Sequence, residues 1–300
     1  MSPELVFWLA LTTKMAVTAL FVSAATIIAE RLGAAVGALV ATLPVSAGPV
    51  YVFLALDHDA TFISASAVAS LALNTATAIF ITIYVLIAQR RSLWISVSLA
   101  ITVWLAVTLA LVPVHWTAPS AFVLNLVVFV LCWWIVTPFC RVAIPSTTRP
   151  WYDFVVRASM VALLVGAVVT LSFRIGPTGS GVLAVFPVIY TSIMVILHRR
   201  VGGPATAAVL ANAVPGLAGF GAALLTLHLT AVPLGSTPAL IVALGVSVGW
   251  NTGLYVVRRR ESLRLARYRL IGDILEIRHG MPYYFDSCPC RQSETLVVTK

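Results

Sequence analysis

RLGAAVGALVATLPVSAGPVYVFLAL, residues 31 to 56, is the stretch on which the fold of this chain turns, because its pattern returns at Arg174. Set side by side without a gap, Arg31, Gly33, Ala41, Pro44, Val45, Val52 and Leu54 face Arg174, Gly176, Ala184, Pro187, Val188, Val195 and Leu197. Upstream the same register sets Ala19, Leu20, Val22 and Ala24 against Ala162, Leu163, Val165 and Ala167, and Lys14 against Arg157. In a chain this rich in Ala, Val and Leu the apolar identities say little; the basic, Gly and Pro matches carry the signal. Farther on, small shifts of register set Asn74 against Asn212 and Trp104 against Trp250, so the chain reads as an internal duplication.

Composition decides what surrounds it. With 60% hydrophobic residues, 10% charged residues and a mean hydropathy of +1.02, the chain cannot present a water-compatible surface as a soluble domain. The reading is an all-α integral membrane protein. A formal charge of +9 would suggest nucleic acid in a soluble protein, but here the basic residues fall in short loops and in the tail, and no nucleic-acid motif is present. The first apolar run, residues 5 to 29, lacks the basic region and small-residue cleavage site of a secretory signal and is expected to remain as the first span. Cys132, Cys140, Cys288 and Cys290 are expected as free thiols; no metal-spaced cluster and no cofactor motif is present.

A helix needs roughly 20 mostly apolar residues to cross the hydrocarbon. Nine runs meet that: residues 5 to 29, 33 to 56, 61 to 88, 93 to 112, 119 to 139, 152 to 173, 178 to 198, 204 to 227 and 236 to 256. None alternates as barrel strands do, so all are expected as helices. The duplication groups them as a first four-helix repeat (1–112), a linker helix and loop (113–150), a second four-helix repeat (151–257) and a basic tail (258–300). Five helices separate equivalent points, so the second copy enters the bilayer from the opposite face: a 4+1+4 inverted repeat.

Basic residues give the orientation. If the N-terminus starts on side one, side two receives Arg31, Arg90, Arg91, Arg141, Arg149, Arg199, Arg200 and the tail from Arg258, whereas side one receives Arg174 with Glu4, Asp57 and Asp59. The asymmetry predicts a C-terminus in the cytoplasm and an N-terminus facing out. In the tail, Leu263, Leu270, Ile274 and Ile277 recur among arginines, a pattern for an amphipathic helix against anionic lipid headgroups.

Inverted repeats underlie many secondary transporters, whose substrate sites lie at broken helices near the midplane. On that reading the candidates are Pro44 and Pro187, each removing a helical hydrogen bond in mid-span, with Ser46 and Tyr190 beside them and Asn74 and Asn212 on the helices that follow. Lys14 and Arg157 join them as cations inside apolar runs, there either to attract an anionic group or to snorkel to the boundary. Asp57 and Asp59 flank His58 in what is expected to be a solvated turn. No paired carboxylates, nucleophile elbow or phosphate loop indicates an enzyme.

The segment from Phe173-Arg174-Ile175-Gly176 to Phe186-Pro187 resembles the basic-residue, Gly and Phe-Pro pattern of the GlpM-like bacterial membrane proteins, small four-helix proteins about the size of one half here. The likeness covers about one helix and its loop in each copy, with Leu43 in place of Phe before Pro44. It implies a fused pair of four-helix units and an association with envelope polysaccharide production, and transfers no functional residue. Two functions are thus expected: a transporter or exporter of a small solute, anionic if Lys14 and Arg157 attract it, or a non-transporting accessory subunit of an envelope-biosynthetic assembly.

Overall fold

The computed structural model describes residues 2–31, 47–141 and 152–279; Pro44 and Ser46, like Cys288 and Cys290, lie outside them. The described residues form nine helices: α1 (Pro3–Arg31), α2 (Ala47–Asp57), α3 (Ala60–Ile87), α4 (Leu93–Leu111), α5 (Ala118–Val136), α6 (Tyr152–Ala184), α7 (Val188–Val201), α8 (Gly203–Leu234) and α9 (Ser236–His279). A short 3₁₀ turn, Thr137–Arg141, follows α5. By length and composition seven of these stretches could cross a bilayer, one of them the joined α6–α7 stretch Val155–Val201, and α2 is a shorter apolar helix. The chain is therefore an all-α protein with the helices of a multi-pass membrane protein.

The caps follow from local chemistry. Asp59 Oδ1 accepts the Phe62 amide at 2.9 Å at the start of α3, and Thr117 and Ser120 form a reciprocal capping box at the start of α5. Both satisfy amides that the first turn of a helix leaves without an intrahelical acceptor.

Helix α3 is the centre of the bundle. Its middle, Ser64 to Ala78 in small steps of Ala, Ser and Thr, is almost wholly buried, whereas α1, α5 and α9 expose Trp8, Leu20, Trp134 and Ile241. Small side chains let neighbouring backbones approach closely, and apolar outer faces are what lipid requires. α3 and α8 run antiparallel along their length. Ser64, near the start of α3, meets His228 Nδ1 at 2.8 Å near the end of α8; Asn74 Nδ2 donates to Leu217 O at 3.2 Å at mid-height; Gly203 opens α8 against the carbonyl of Ala88. The end of α6 and all of α7 instead follow α3 in its own direction: Ser70 Oγ donates to Gly181 O at 2.8 Å, Thr77 Oγ1 to Val185 O at 3.1 Å, and Tyr84 Oη lies 2.7 Å from His198 Nδ1.

These contacts define two ends. Asp57, His58 and Asp59 gather at one with Ser172, whose Oγ lies 2.9 Å from His58 Nε2. At the other, Arg199 stacks over Trp94 at 5.2 Å, beside the Arg90–Arg91 turn that follows α3. Arg174, two residues past Ser172, belongs to the acidic end.

Several boundaries differ from the sequence reading. The boundary expected between residues 173 and 178 falls at Gly176 (φ 66°), a left-handed conformation that glycine adopts without a Cβ penalty, and helix resumes through Ala184. The interruption expected at Pro187 is present, with residues 185–187 outside any helix. α8 continues to Leu234 rather than ending near 227, because His228 is a buried-facing partner of Ser64 and not a loop residue. The tail helix expected over 258–278 is no separate element but the continuation of α9. The chain divides into two compact units, Met1–Tyr255 and Val256–Lys300, and the second is described as helix through His279.

Helix starts also keep a constant spacing. Ala60 and Gly203 are 143 residues apart, as are Leu93 and Ser236, and the capping residues Asp59 and Ser92 stand equally far from Gly202 and Gly235. At that same spacing Asn74 stands against Leu217 and Trp104 against Ser247, where the sequence reading, with small shifts, set them against Asn212 and Trp250.

Candidate functional site

The break between α6 and α7 is where backbone chemistry is least self-sufficient. Pro187 has no N–H, so the carbonyl one turn earlier loses its helical donor. The chain closes the gap locally: Phe186 N donates to Leu183 O at 3.1 Å, and Val188 N to Phe186 O at 2.7 Å. On the far side Thr191 N and Thr191 Oγ1 both reach Pro187 O, at 2.9 and 2.8 Å. The rest is supplied from α3, where Ser70 and Thr77 bond the carbonyls of Gly181 and Val185.

Those donors belong to a stripe. Ser66, Ser70, Asn74 and Thr77 recur at helical spacing on one face of α3, all buried. Tyr51 of α2 extends it, donating its hydroxyl to Ser70 Oγ at 2.7 Å and so forming a Tyr–Ser–carbonyl chain. Close approach is possible because residue 181 is glycine; a Cβ there would stand 2.5 Å from Ser66 O. Three polar atoms of the region have no hydrogen-bond partner: Ser66 Oγ, Ser180 Oγ and Asn74 Oδ1, on residues each 0% exposed. Burying such groups unpaired costs about 1–3 kcal/mol each, so they mark a place where a partner is owed.

Of the residues singled out from sequence, Asn74, Pro187 and Tyr190 fall in this neighbourhood. Asn74 lies at the mid-height crossing of α3 and α8, with Asn125 of α5 beside it donating to Leu71 O at 3.0 Å. Pro187 caps α7 and Tyr190 is half-buried on its first turn. Asn212 is elsewhere, donating to Ala208 O and to Cys140 O near the basic end. Ser66, Ser70, Thr77 and Ser180 were not singled out, although the first three, with Asn74, are legible as a polar stripe at i, i+4, i+8 and i+11. Hydroxyls in apolar helices are common enough that the pattern stands out only once a broken helix is set against it.

Comparison of the chain with models of protein families, with curated proteins and with solved structures finds no match. Its chemistry is therefore read from its own geometry.

Lys14 is not a midplane cation. Its Nζ lies 2.6 Å from both carboxylate oxygens of Asp57, with each side chain 18% exposed, and 5.9 Å from the ring centroid of Phe53. Asp57, expected as a solvated turn residue, is instead the counter-ion, and the pair carries no net charge. Beside it His58 stacks on Phe62 at 3.8 Å with planes 5° apart and leans on Phe173 at 4.4 Å. Burial lowers the His58 pKa below its ordinary value, with Lys14 pushing the same way and Asp57 and Asp59 opposing. Asp59, held by the Phe62 amide and the Thr61 hydroxyl, sits below the usual carboxylate range. Arg157 is half-buried on α6, nine residues before Gly166, beside which Met15 packs, and so about 13 Å along that helix from the neighbour of Lys14.

Proposed function

We propose that the protein is a secondary transporter of a small solute, made of two inverted halves in a bacterial inner membrane, with the solute bound where α3 faces the α6–α7 break. The observation that carries this reading is the broken helix itself, whose carbonyls are bonded by side chains of the central helix. Non-helical backbone at membrane depth persists where protein or a wet cavity satisfies it, and transporters place such breaks at the substrate.

The inverted arrangement has three supports: the 143-residue spacing of helix starts, the opposite directions of the equivalent helices α3 and α8, and those of α2 and α7. At the α3–α8 crossing Asn74 bonds the residue 143 positions away, as a residue on a pseudo-two-fold axis would. In this reading the chain crosses nine times, with α2 belonging to the second crossing and residues 152–175 and 177–201 counting as one each, and α5 joins the halves. The end bearing Asp57 and Arg174 faces the periplasm, because Arg90, Arg91, Arg199 and Arg200 lie at the other. The basic residues 258 to 278 would meet anionic headgroups of the inner leaflet.

Cysteine accessibility tests the reading. With Cys132, Cys140, Cys288 and Cys290 replaced by Ser, single Ile189→Cys and Ser70→Cys variants are treated with a membrane-impermeant thiol reagent. Labelling at position 189 or 70 is expected from water; complete protection at both would favour the accessory-subunit role, in which the break serves packing alone.

A further inference from the structure

Among the buried polar atoms without a hydrogen-bond partner, Ser66 Oγ, Ser180 Oγ and Asn74 Oδ1 lie beside the α6–α7 break. Ser66 Oγ and Ser180 Oγ lie on the two segments that Gly181 brings into backbone contact, and Asn74 Oδ1 lies two turns along the same stripe. The polar groups around them are neutral: Ser70, Thr77 and Tyr51, with the carbonyls of Gly181 and Val185. The charged residues closest along the same helices, Asp59 seven residues before Ser66 and Arg174 six before Ser180, belong to the end of the bundle where Lys14 pairs with Asp57. Ser66 is eight residues past His58, about 12 Å deeper along α3.

We infer that this locus binds a small neutral solute carrying hydroxyl or amide groups, of the polyol or short-amide class, and not an anion. The inference rests on the transport reading and names its substrate class. Asn74 Oδ1 can only accept, so the ligand must donate there, whereas Ser66 and Ser180 can each donate and accept. A polyol or a small amide offers donors and acceptors in that mixture. An anion would be buried among these neutral groups, which costs far more than burying a neutral polar solute.

The test uses a Ser180→Cys variant in the background lacking native cysteines, reconstituted in liposomes, with Ile189→Cys as control. The rate of modification by a small neutral methanethiosulfonate is measured alone and with glycerol, erythritol, urea or acetamide, and separately with lactate, phosphate or sodium chloride. A neutral compound present at twice its Kd is expected to slow modification at position 180 about threefold, by simple competition. Adding Ser66→Ala should remove that protection. Protection by an anion or by sodium, or modification that no neutral compound slows, overturns the assignment. So does a Ser180→Cys variant that stays unmodified while Ile189→Cys reacts, which means packing or bound water only; failure at both positions removes the transport reading itself.

Discussion

Lys14 shows how much one contact changes a residue's meaning. Read along its own helix it is a cation ten positions into an apolar run, and the cost of such a charge in hydrocarbon invites a functional role. The carboxylate of Asp57, 43 residues away, removes that need. A prediction follows at this scale. Lys14→Met leaves Asp57 uncompensated in a partly buried site and is expected to cost about 1–3 kcal/mol, between the values typical of exposed and of buried pairs. Lys14→Met combined with Asp57→Asn should regain most of it. Apparent Tm in detergent for the four members of the cycle checks this; losses of the two single variants that simply add in the double variant would show that the pair is not coupled. Asn74 is the opposite case, since its amide keeps one partner in Leu217 O and has none for Oδ1, so its side chain is half committed to structure.

Among the elements, the two-residue turn between α2 and α3 joins more of the bundle than its length suggests. His58 bonds α6 through Ser172 and stacks on Phe62 of α3 and Phe173 of α6, while the preceding Asp57 holds α1. The groups that bear on its charge are Asp57 and Asp59 on its own turn and Lys14 on α1, with Arg174 following Phe173. Because the folded ring binds a proton less readily than the unfolded one, stability from this turn is complete above about pH 6.5 and falls as the pH drops through the folded value. Apparent Tm should therefore decline between about pH 7.5 and 5.5, and His58→Gln should flatten that decline; an unchanged slope in the variant would place its origin elsewhere. The break at residues 185–187 is the other element with a double role. It is tied to α3 by one side-chain bond, Thr77 Oγ1 to Val185 O, with Ser70 Oγ holding Gly181 O one turn before it, and it stays non-helical.

For the whole molecule, the inferred inversion makes a claim about sides. The α2–α3 turn and Arg174 lie at one end, the Arg90–Arg91 turn and the α7–α8 turn at the other. Single cysteines replacing Asp59 and Arg91 should react with an impermeant reagent from opposite faces of sealed vesicles, and a cysteine replacing Arg174 should match position 59. Labelling of positions 59 and 91 from one face would remove the crossing by α3 and with it the inverted halves. The centre of the arrangement is the antiparallel pair of α3 and α8, over which α5 lays Asn125 close to Asn74 and Gly221.

Composition alone determined that this chain lives in lipid, since no folding could hide so much apolar surface from water. Pro187 likewise announced its break locally, because a missing N–H interrupts a helix whatever surrounds it. Tertiary structure decided which polar groups find partners. Asp57 neutralises Lys14, Leu217 rather than Asn212 faces Asn74, and Ser66 and Ser180 are left unsatisfied, because pairing depends on the height and direction at which distant helices cross, and helical periodicity within one segment carries no record of either.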